Sequence, residues 1–215
     1  MNEAQWLASP DSLGMLRYLG KKASGRKLRL FAVACVRRIE GLLGDERSWR
    51  AAALAERYAD RQVKRQELRA AAQEARAAAN ALYAATGDNH AALAATEAAA
   101  YTAPRAAYAA ANFAESALGE WRSQERAAQA GLLRCVFGNP FRRPAVRRTW
   151  LAWEGGTVGK LAQAVYDERA FERLPLLADA LEDAGCADPE LLGHLRGPGP
   201  HVRGCWAVDL LLGNS

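Results

Sequence analysis

Apolar residues recur at intervals of three and four through most of this chain, which is the spacing of one face of an α-helix. The clearest run starts at Leu28 and ends at Leu42, with apolar residues at positions 28, 30, 31, 34, 35, 39 and 42. No segment shows the strict alternation of apolar and polar residues that is typical of a strand. The pattern therefore predicts an all-α protein, folded as a helical bundle.

Capping residues and glycines divide this pattern into separate helices. A capping residue or a first-turn proline starts most of the predicted helices, and a glycine follows the end of most of them. The predicted helices lie between Ser9 and Gly20, Ser24 and Gly44, Thr157 and Ala170, Pro175 and Gly185, Asp188 and Gly197, and Val202 and Leu212, with another that starts after Asp45.

The segment from Lys64 to Val136 is strongly alanine-rich, and alanine has the highest helix propensity. Breaks at residues 86–89 and 102–104 divide it into a tightly packed helical hairpin or a three-helix array. The large side chains that we expect to pack in its interior are Tyr83, Tyr101, Tyr108, Phe113 and Trp121.

Residues 138–144, with the sequence GNPFRRP, form the sharpest break in composition. We therefore predict N-terminal helices plus the alanine-rich hairpin over residues 1–137, and a small C-terminal helical subdomain over residues 138–215. The net charge is +5, yet residues 164–215 carry nine acidic and four basic side chains. This asymmetry leads us to expect that the C-terminal subdomain docks on the basic front of the chain, or that the basic part faces an anionic partner.

The sequence predicts a cytoplasmic protein. No apolar stretch reaches the ~18 to 20 residues that a membrane-spanning helix needs, and the first residues lack the features of a signal peptide. The four cysteines, Cys35, Cys135, Cys186 and Cys205, are widely spaced and include no CxxC pair. We therefore expect reduced thiols and no disulfide framework.

Cys186, His194, His201 and Cys205 have the donor types of a zinc site, and they lie within one short segment. They are separated by seven, six and three residues, whereas structural zinc sites usually bring their ligands in close pairs. The alternative is a set of buried thiols with a capping histidine, and the spacing favours that interpretation.

The segment GPGPHVRGCW, residues 197–206, places His201 and Arg203 at the predicted start of the last helix. Free N–H groups and the helix dipole favour an anion at such a position. The alternative is a rigid turn that anchors Trp206 in the core. His201 and Arg203 are therefore candidates for an anion-binding site.

A basic surface is a third candidate, formed by Arg142, Arg143, Arg147, Arg148, Trp150 and Trp153. Basic residues interleaved with aromatic residues suit nucleic acid. No helix-turn-helix, RRM or zinc-finger signature accompanies them. A solvated basic face, or a face that meets acidic side chains of the same fold, is the competing interpretation.

Seven longer motifs stand out, namely Arg26–Ala32 (RKLRLFA), Asp45–Ser48, Glu56–Asp60, Gly138–Arg142, Tyr166–Phe171 (YDERAF), Leu174–Cys186 and Arg196–Trp206 (RGPGPHVRGCW). With these motifs the chain resembles an uncharacterised bacterial family of helical proteins. The resemblance covers both ends of the chain and implies no activity, because none is known for that family.

The sequence contains no GxSxG turn, no HExxH and no Walker motif. We therefore expect a non-enzymatic protein-interaction or scaffold module that has a protein partner and no cofactor. One alternative is an anion-binding or metal-dependent enzyme centred on His201, together with Arg203 and Cys205. A second alternative is nucleic-acid binding through the basic clusters.

Overall fold

The computed structural model describes residues 1–142 and 144–214, and the prediction of an all-α protein is confirmed. The described residues form thirteen α-helices and no strand. The helices are α1 (Glu3–Ala8), α2 (Ser12–Leu19), α3 (Gly25–Arg38), α4 (Glu46–Ala59), α5 (Arg65–Thr86), α6 (His90–Ala98), α7 (Ala103–Ala117), α8 (Arg122–Phe137), α9 (Arg148–Ala152), α10 (Thr157–Glu168), α11 (Leu174–Asp183), α12 (Pro189–Arg196) and α13 (Trp206–Leu212). Short 3-10 turns occupy Gly20–Lys22, Glu40–Leu42, Gly119–Trp121, Trp153–Gly155 and Phe171–Arg173.

Several helix ends lie where the sequence predicts them. Asp45 accepts a hydrogen bond from the backbone N–H of Arg47 and so caps α4. Gly87 ends α5 in the left-handed conformation, with φ of 76°. The predicted start of the last helix at Val202 is wrong, because α13 begins only at Trp206. Gly204 has φ of 89°, which holds the preceding residues in a turn.

Among the described residues, every helix is either too short or too polar to cross a membrane.

The contacts divide the chain into two compact units. The first unit comprises Met1 and residues 8–133, and the second comprises residues 2–7 together with the chain from Arg134 onward. Residues 2–7, near the start of the sequence, therefore pack with the C-terminal helices, and α8 contributes residues to both units.

Alanine methyl groups form most of the core of the first unit. Helix α3 contacts α4, α6 and α7, and α5 contacts α4 and α6. Alanines with no exposed surface include Ala75, Ala79, Ala94, Ala95, Ala98, Ala106, Ala107, Ala110, Ala111 and Ala114. Such small side chains allow helix axes to approach to the lower end of the usual range of about 8 to 10 Å.

We expected the large aromatic side chains of the alanine-rich segment to pack in its interior. This prediction is wrong for three of them. Tyr83, Tyr101 and Trp121 are all exposed, at 59%, 69% and 59% of their surface. Helices that are packed through alanine leave no space for rings between them, so the rings lie outside.

Two of the sequence motifs contact each other in the first unit. Arg26 Nε donates to the Asp60 carboxylate at 2.9 Å, which joins the RKLRLFA segment of α3 to the end of α4. The guanidinium of Arg29 lies 5.2 Å from the centre of the Tyr58 ring and donates to the carbonyl oxygens of Ala98 and Ala100, at 2.9 Å each. Burial lowers the pKa of Arg29, and these contacts compensate its buried charge.

The second unit has an aliphatic core built by α10, α11, α12 and α13. Buried residues of this core include Val158, Val165, Leu174, Leu177, Leu181, Leu191, Leu195, Val208 and Leu211. Cys135, at the end of α8, belongs to the same core.

Candidate metal centre

Two cysteines and two histidines meet in the second unit. They are Cys135, His194, His201 and Cys205, and their potential ligand atoms all lie within 4.8 Å of one another. Both thiols are buried, with 2% of Cys135 and 1% of Cys205 exposed. Among the described residues, this is the one group of three or more His, Cys, Asp or Glu side chains that is suitably placed to hold a metal ion.

Cys135 is positioned by the end of α8. The helix stops at Gly138, whose φ of 64° is left-handed, and the carbonyl oxygen of Gly138 accepts a hydrogen bond from Trp6 Nε1 at 2.9 Å. The ring of Trp206 lies directly against Gly138. Because Trp206 is the residue after Cys205, this contact brings the two cysteines together.

His194 lies in the last turn of α12, which begins at Pro189. Asp188 caps this helix by accepting hydrogen bonds from the backbone N–H groups of Glu190 and Leu191. The His194 ring is 5.2 Å from the ring of Trp206, centre to centre. Its Nε2 atom lies 3.1 Å from Cys205 Sγ.

His201 comes from the loop between α12 and α13. Its Nε2 atom lies 3.0 Å from the carbonyl oxygen of Gly197. A carbonyl oxygen can only accept, so Nε2 carries the hydrogen. The other ring nitrogen, Nδ1, is buried and makes no hydrogen bond of ordinary geometry among the described residues, and the Cys205 side chain is its neighbour.

His201 is oriented as metal-binding histidines usually are. Histidines that bind metals usually donate their second ring N–H to a backbone carbonyl or a carboxylate, which fixes the tautomer and the ring orientation. The Nδ1 atom of His201 is the ring nitrogen left for the Cys205 side, where the two residues lie as close as two ligands of one ion would.

The environment of Cys205 favours its thiolate. Burial alone would raise the pKa of this thiol, but the neighbouring side chains of Cys135, His194 and His201 outweigh burial and lower the pKa well below its ordinary value of 9.0. Burial lowers the pKa of His201, and its interactions with Cys205 and the Gly197 carbonyl raise it by more. The thiolate is the form of cysteine that binds metals.

The donor set and its spacing fit zinc. Tetrahedral zinc takes sulfur at about 2.3 Å and nitrogen at about 2.0 Å, which places neighbouring ligand atoms about 3.3 to 3.8 Å apart. No two of these ligand atoms are more than 4.8 Å apart, so each pair would need to close by at most about 1 to 1.5 Å. Small rotations of the histidine and cysteine side chains would move their ligand atoms by this distance.

The structure brings together three of the four residues that the sequence indicated as zinc ligands. The fourth, Cys186, is buried after α11, where its backbone N–H donates to Leu181 O, and it is not a member of the group. Cys135 takes that place, although it precedes His194 by 59 positions. The one sequence signal for Cys135 is its position three residues before the helix-ending Gly138.

Arg203, the other candidate for an anion site, lies over the ring of Tyr166 at 4.5 Å. This contact joins the RGPGPHVRGCW segment to the YDERAF segment. His201 instead lies with Cys135, His194 and Cys205. The two candidate anion ligands, His201 and Arg203, therefore have different neighbours.

The residues of the candidate basic surface also differ in their burial and in their neighbours. Trp150 is buried in the core of the second unit, and Trp153 packs against that core. Arg142 pairs with Glu3 at 2.6 Å, and the Arg147 guanidinium lies 5.8 Å from the Trp150 ring. Arg148 is exposed, and Arg143 lies outside the described residues. The buried ring of Trp150 is therefore not available for stacking on a nucleic-acid base.

Comparison of the chain with models of protein families, with curated proteins and with solved structures gives no match. The resemblance to an uncharacterised bacterial family thus stays a prediction from the motifs.

Proposed function

We propose that the protein is a zinc-containing, non-enzymatic binding module, in which Cys135, His194, His201 and Cys205 hold one structural zinc ion. The observation that carries the proposal is the close meeting of four donor atoms, all within 4.8 Å of one another, with His201 held by the contact of its Nε2 with the Gly197 carbonyl. Together with two buried cysteines and His194, His201 makes a set of two sulfur and two nitrogen donors.

The number and burial of the ligands support a structural rather than a catalytic ion. Catalytic zinc sites keep one coordination position open for water or substrate, whereas structural sites are closed by four protein ligands. Four side chains are present here, and both thiols are buried. A bound zinc ion would therefore hold α8, α12 and the start of α13 together.

The wider expectation is an interaction module that has a protein partner and acts in the cytoplasm. Zinc fits such a protein, because a metal can join distant parts of a chain where disulfides are reduced. A site with closed coordination gives no direct support to the alternative of a metal-dependent enzyme centred on His201.

Metal analysis of the purified chain tests the proposal. We expect one zinc ion per chain after expression and purification without chelators. Replacement of zinc by Co²⁺ should give the intense visible absorption of tetrahedral cobalt, with charge-transfer bands that report thiolate ligands.

A pair of cysteine variants provides the matched control. Cys135→Ser should lose the zinc and the thiolate bands, whereas Cys186→Ser, at an equally buried cysteine outside the group, should retain both. A wild-type chain that binds no zinc, or equal loss of zinc in the two variants, would show that the group is not a metal site.

A further inference from the structure

A groove lies within the first unit, between α5 and the start of α7. Its volume is about 600 Å³, and its lining includes Arg69, Arg76, Glu97, Tyr101 and Arg105. We call it the arginine groove. A second cavity of about 330 Å³ adjoins it and is lined mostly by apolar and aromatic residues: Tyr58, Leu68, Ala72, Ala99, Ala100 and Tyr101, with Arg65 and Arg69 at its edge.

Positive charge exceeds negative charge in the arginine groove. Three arginines face a single carboxylate, Glu97, which is buried and accepts hydrogen bonds from both Arg76 and Arg105. Arg105 binds it through Nε at 2.8 Å and Nη2 at 3.1 Å. Arg69 is exposed and has no ion-pair partner in the described part of the chain. The lining therefore carries two positive charges that no carboxylate of the groove compensates.

Part of the groove lining is held in place by the buried Arg29 side chain. The buried guanidinium of Arg29 donates to Ala98 and Ala100, which are the last residue of α6 and the second residue after it. The same guanidinium lies against Tyr58. These contacts hold the backbone of Ala98 and Ala100, so this part of the lining needs no rearrangement when a ligand binds, which lowers the entropic cost of binding.

Tyr101 stands where the two cavities meet. It lines both of them, and 69% of its surface is exposed. The guanidinium of Arg65 lies 3.8 Å from the centre of its ring. This contact holds a large aromatic ring at the surface, and a cation over one face leaves the ring edge and the other face for a ligand.

We propose that the arginine groove and its neighbouring cavity bind a small phosphate ester that carries a planar ring, as nucleotides do. Arginine pairs with phosphate oxygens through two parallel hydrogen bonds, so Arg69, which has no ion pair among the described residues, suits the phosphate. The N–H groups of Arg76 and Arg105 that do not bind Glu97 belong to the same lining. The apolar cavity beside Tyr58 and Tyr101 suits the ring. Pockets for small ligands usually measure about 300 to 1,000 Å³, which includes both volumes.

Calorimetric titration of the full chain with three probes tests this proposal. The probes are ADP, pyrophosphate for the charge alone, and adenosine for the ring alone. We expect ADP to bind at least about tenfold more tightly than either of the others, because it uses both cavities. Equal affinity for ADP and pyrophosphate would overturn the proposal, and so would the absence of ADP binding.

Surface variants then locate the site. Arg69→Ala should weaken ADP and pyrophosphate binding by about tenfold or more, as expected for a lost charge-assisted contact. Tyr101→Ala should weaken ADP binding and leave pyrophosphate binding unchanged. Arg57→Ala, on α4 and also exposed, is the control and should change neither.

Each of these side chains is exposed, so circular dichroism should show that the variants fold normally. Unchanged ADP binding in Arg69→Ala would place the ligand elsewhere and overturn the proposal. A single-stranded oligonucleotide that binds when ADP does not would overturn it too, because it would indicate nucleic acid rather than a small ligand. The proposal does not rest on the zinc site, so a metal-free chain would leave it standing.

Discussion

Gly138 and Trp206 pack so closely that a Cβ atom on Gly138 would lie 2.9 Å from Cγ of the Trp206 ring. The backbone of Gly138 also has φ of 64°, and its carbonyl oxygen accepts the hydrogen bond of the Trp6 indole. Two tryptophans therefore contact the backbone of one residue, and that residue ends the helix that carries Cys135. The glycine is required both by its conformation and by the space around it.

Replacing Gly138 by alanine should destabilise the second unit. The added Cβ must displace the Trp206 ring and hold a left-handed conformation, so we expect the free energy of unfolding to fall by about 2 to 4 kcal/mol. Gly159→Ala is the matched control. Gly159 lies inside α10, no neighbouring atom is within 4 Å of its added Cβ, and alanine should stabilise that helix by about 0.5 to 1 kcal/mol. Urea unfolding measures both, and a similar loss for the two variants would contradict the prediction.

Removal of metal should lower the thermal stability of the chain. A ligand that binds only the folded state stabilises it in proportion to its affinity, so a zinc chelator should lower the midpoint of thermal unfolding of the wild-type chain. The His194→Ala variant lacks one ligand, and its midpoint should respond much less to the chelator. Equal shifts in both proteins would show that the chelator acts elsewhere than on the group of four.

The alanine core should tolerate added volume poorly. Ala75 is fully buried on α5, whereas Ala77 is exposed on the same helix. Ala75→Leu forces a large side chain between close helices and should lower the free energy of unfolding by about 1 to 3 kcal/mol. Ala77→Leu should change it by less than about 0.5 kcal/mol. Equal effects in chemical denaturation would mean that the helices separate easily at Ala75.

Glu97 should make stability depend on pH. Burial raises its pKa, but the hydrogen bonds from Arg105 and Arg76 outweigh burial, so the pKa lies below its ordinary value of 4.5. The ionised group therefore contributes stability that is fully present above pH 4.5 and is lost as the pH falls through the lowered pKa.

Glu97→Gln tests this contribution. We expect a loss of about 1 to 3 kcal/mol near neutral pH, and the difference from the wild-type chain should shrink in acid. Glu74→Gln removes a carboxylate that pairs with Arg50 at the surface of α5, so it should have little effect at any pH. A difference between Glu97→Gln and the wild-type chain that stays constant down to pH 3 would contradict the assignment.

The helices could be predicted because their signals are local. Asp45, Gly87 and Asp188 each determine a helix end through their own backbone or through a neighbour two or three residues away. The start of α13 was predicted four residues too early, because apolar spacing continues through Val202 while Gly204 requires a turn. The sequence pattern alone does not show that Gly204 adopts a left-handed conformation, so it does not show where the helix begins.

The candidate site could be predicted in part. His194, His201 and Cys205 are neighbours in the sequence, and their residue types alone indicated a metal. Cys135 joins them through the contact of Gly138 with Trp206, which depends on the packing of segments far apart in the chain. The exposed Tyr101 was missed for a similar reason, because the spacing between alanine-packed helices determines whether a ring fits.

The order of the four ligands along the chain has a thermodynamic consequence. One of them lies on α8, and the next is 59 positions later, so the four ligands come together only when the second unit folds. Closing a loop of about 60 residues costs chain entropy worth about 4 kcal/mol at 25 °C, and folding of the second unit has to meet this cost before the ion can bind. Unlike a disulfide, the ion would stabilise the folded unit according to its free concentration, and it would be lost when zinc becomes scarce. The stability of the second unit would then depend on the concentration of free zinc around it.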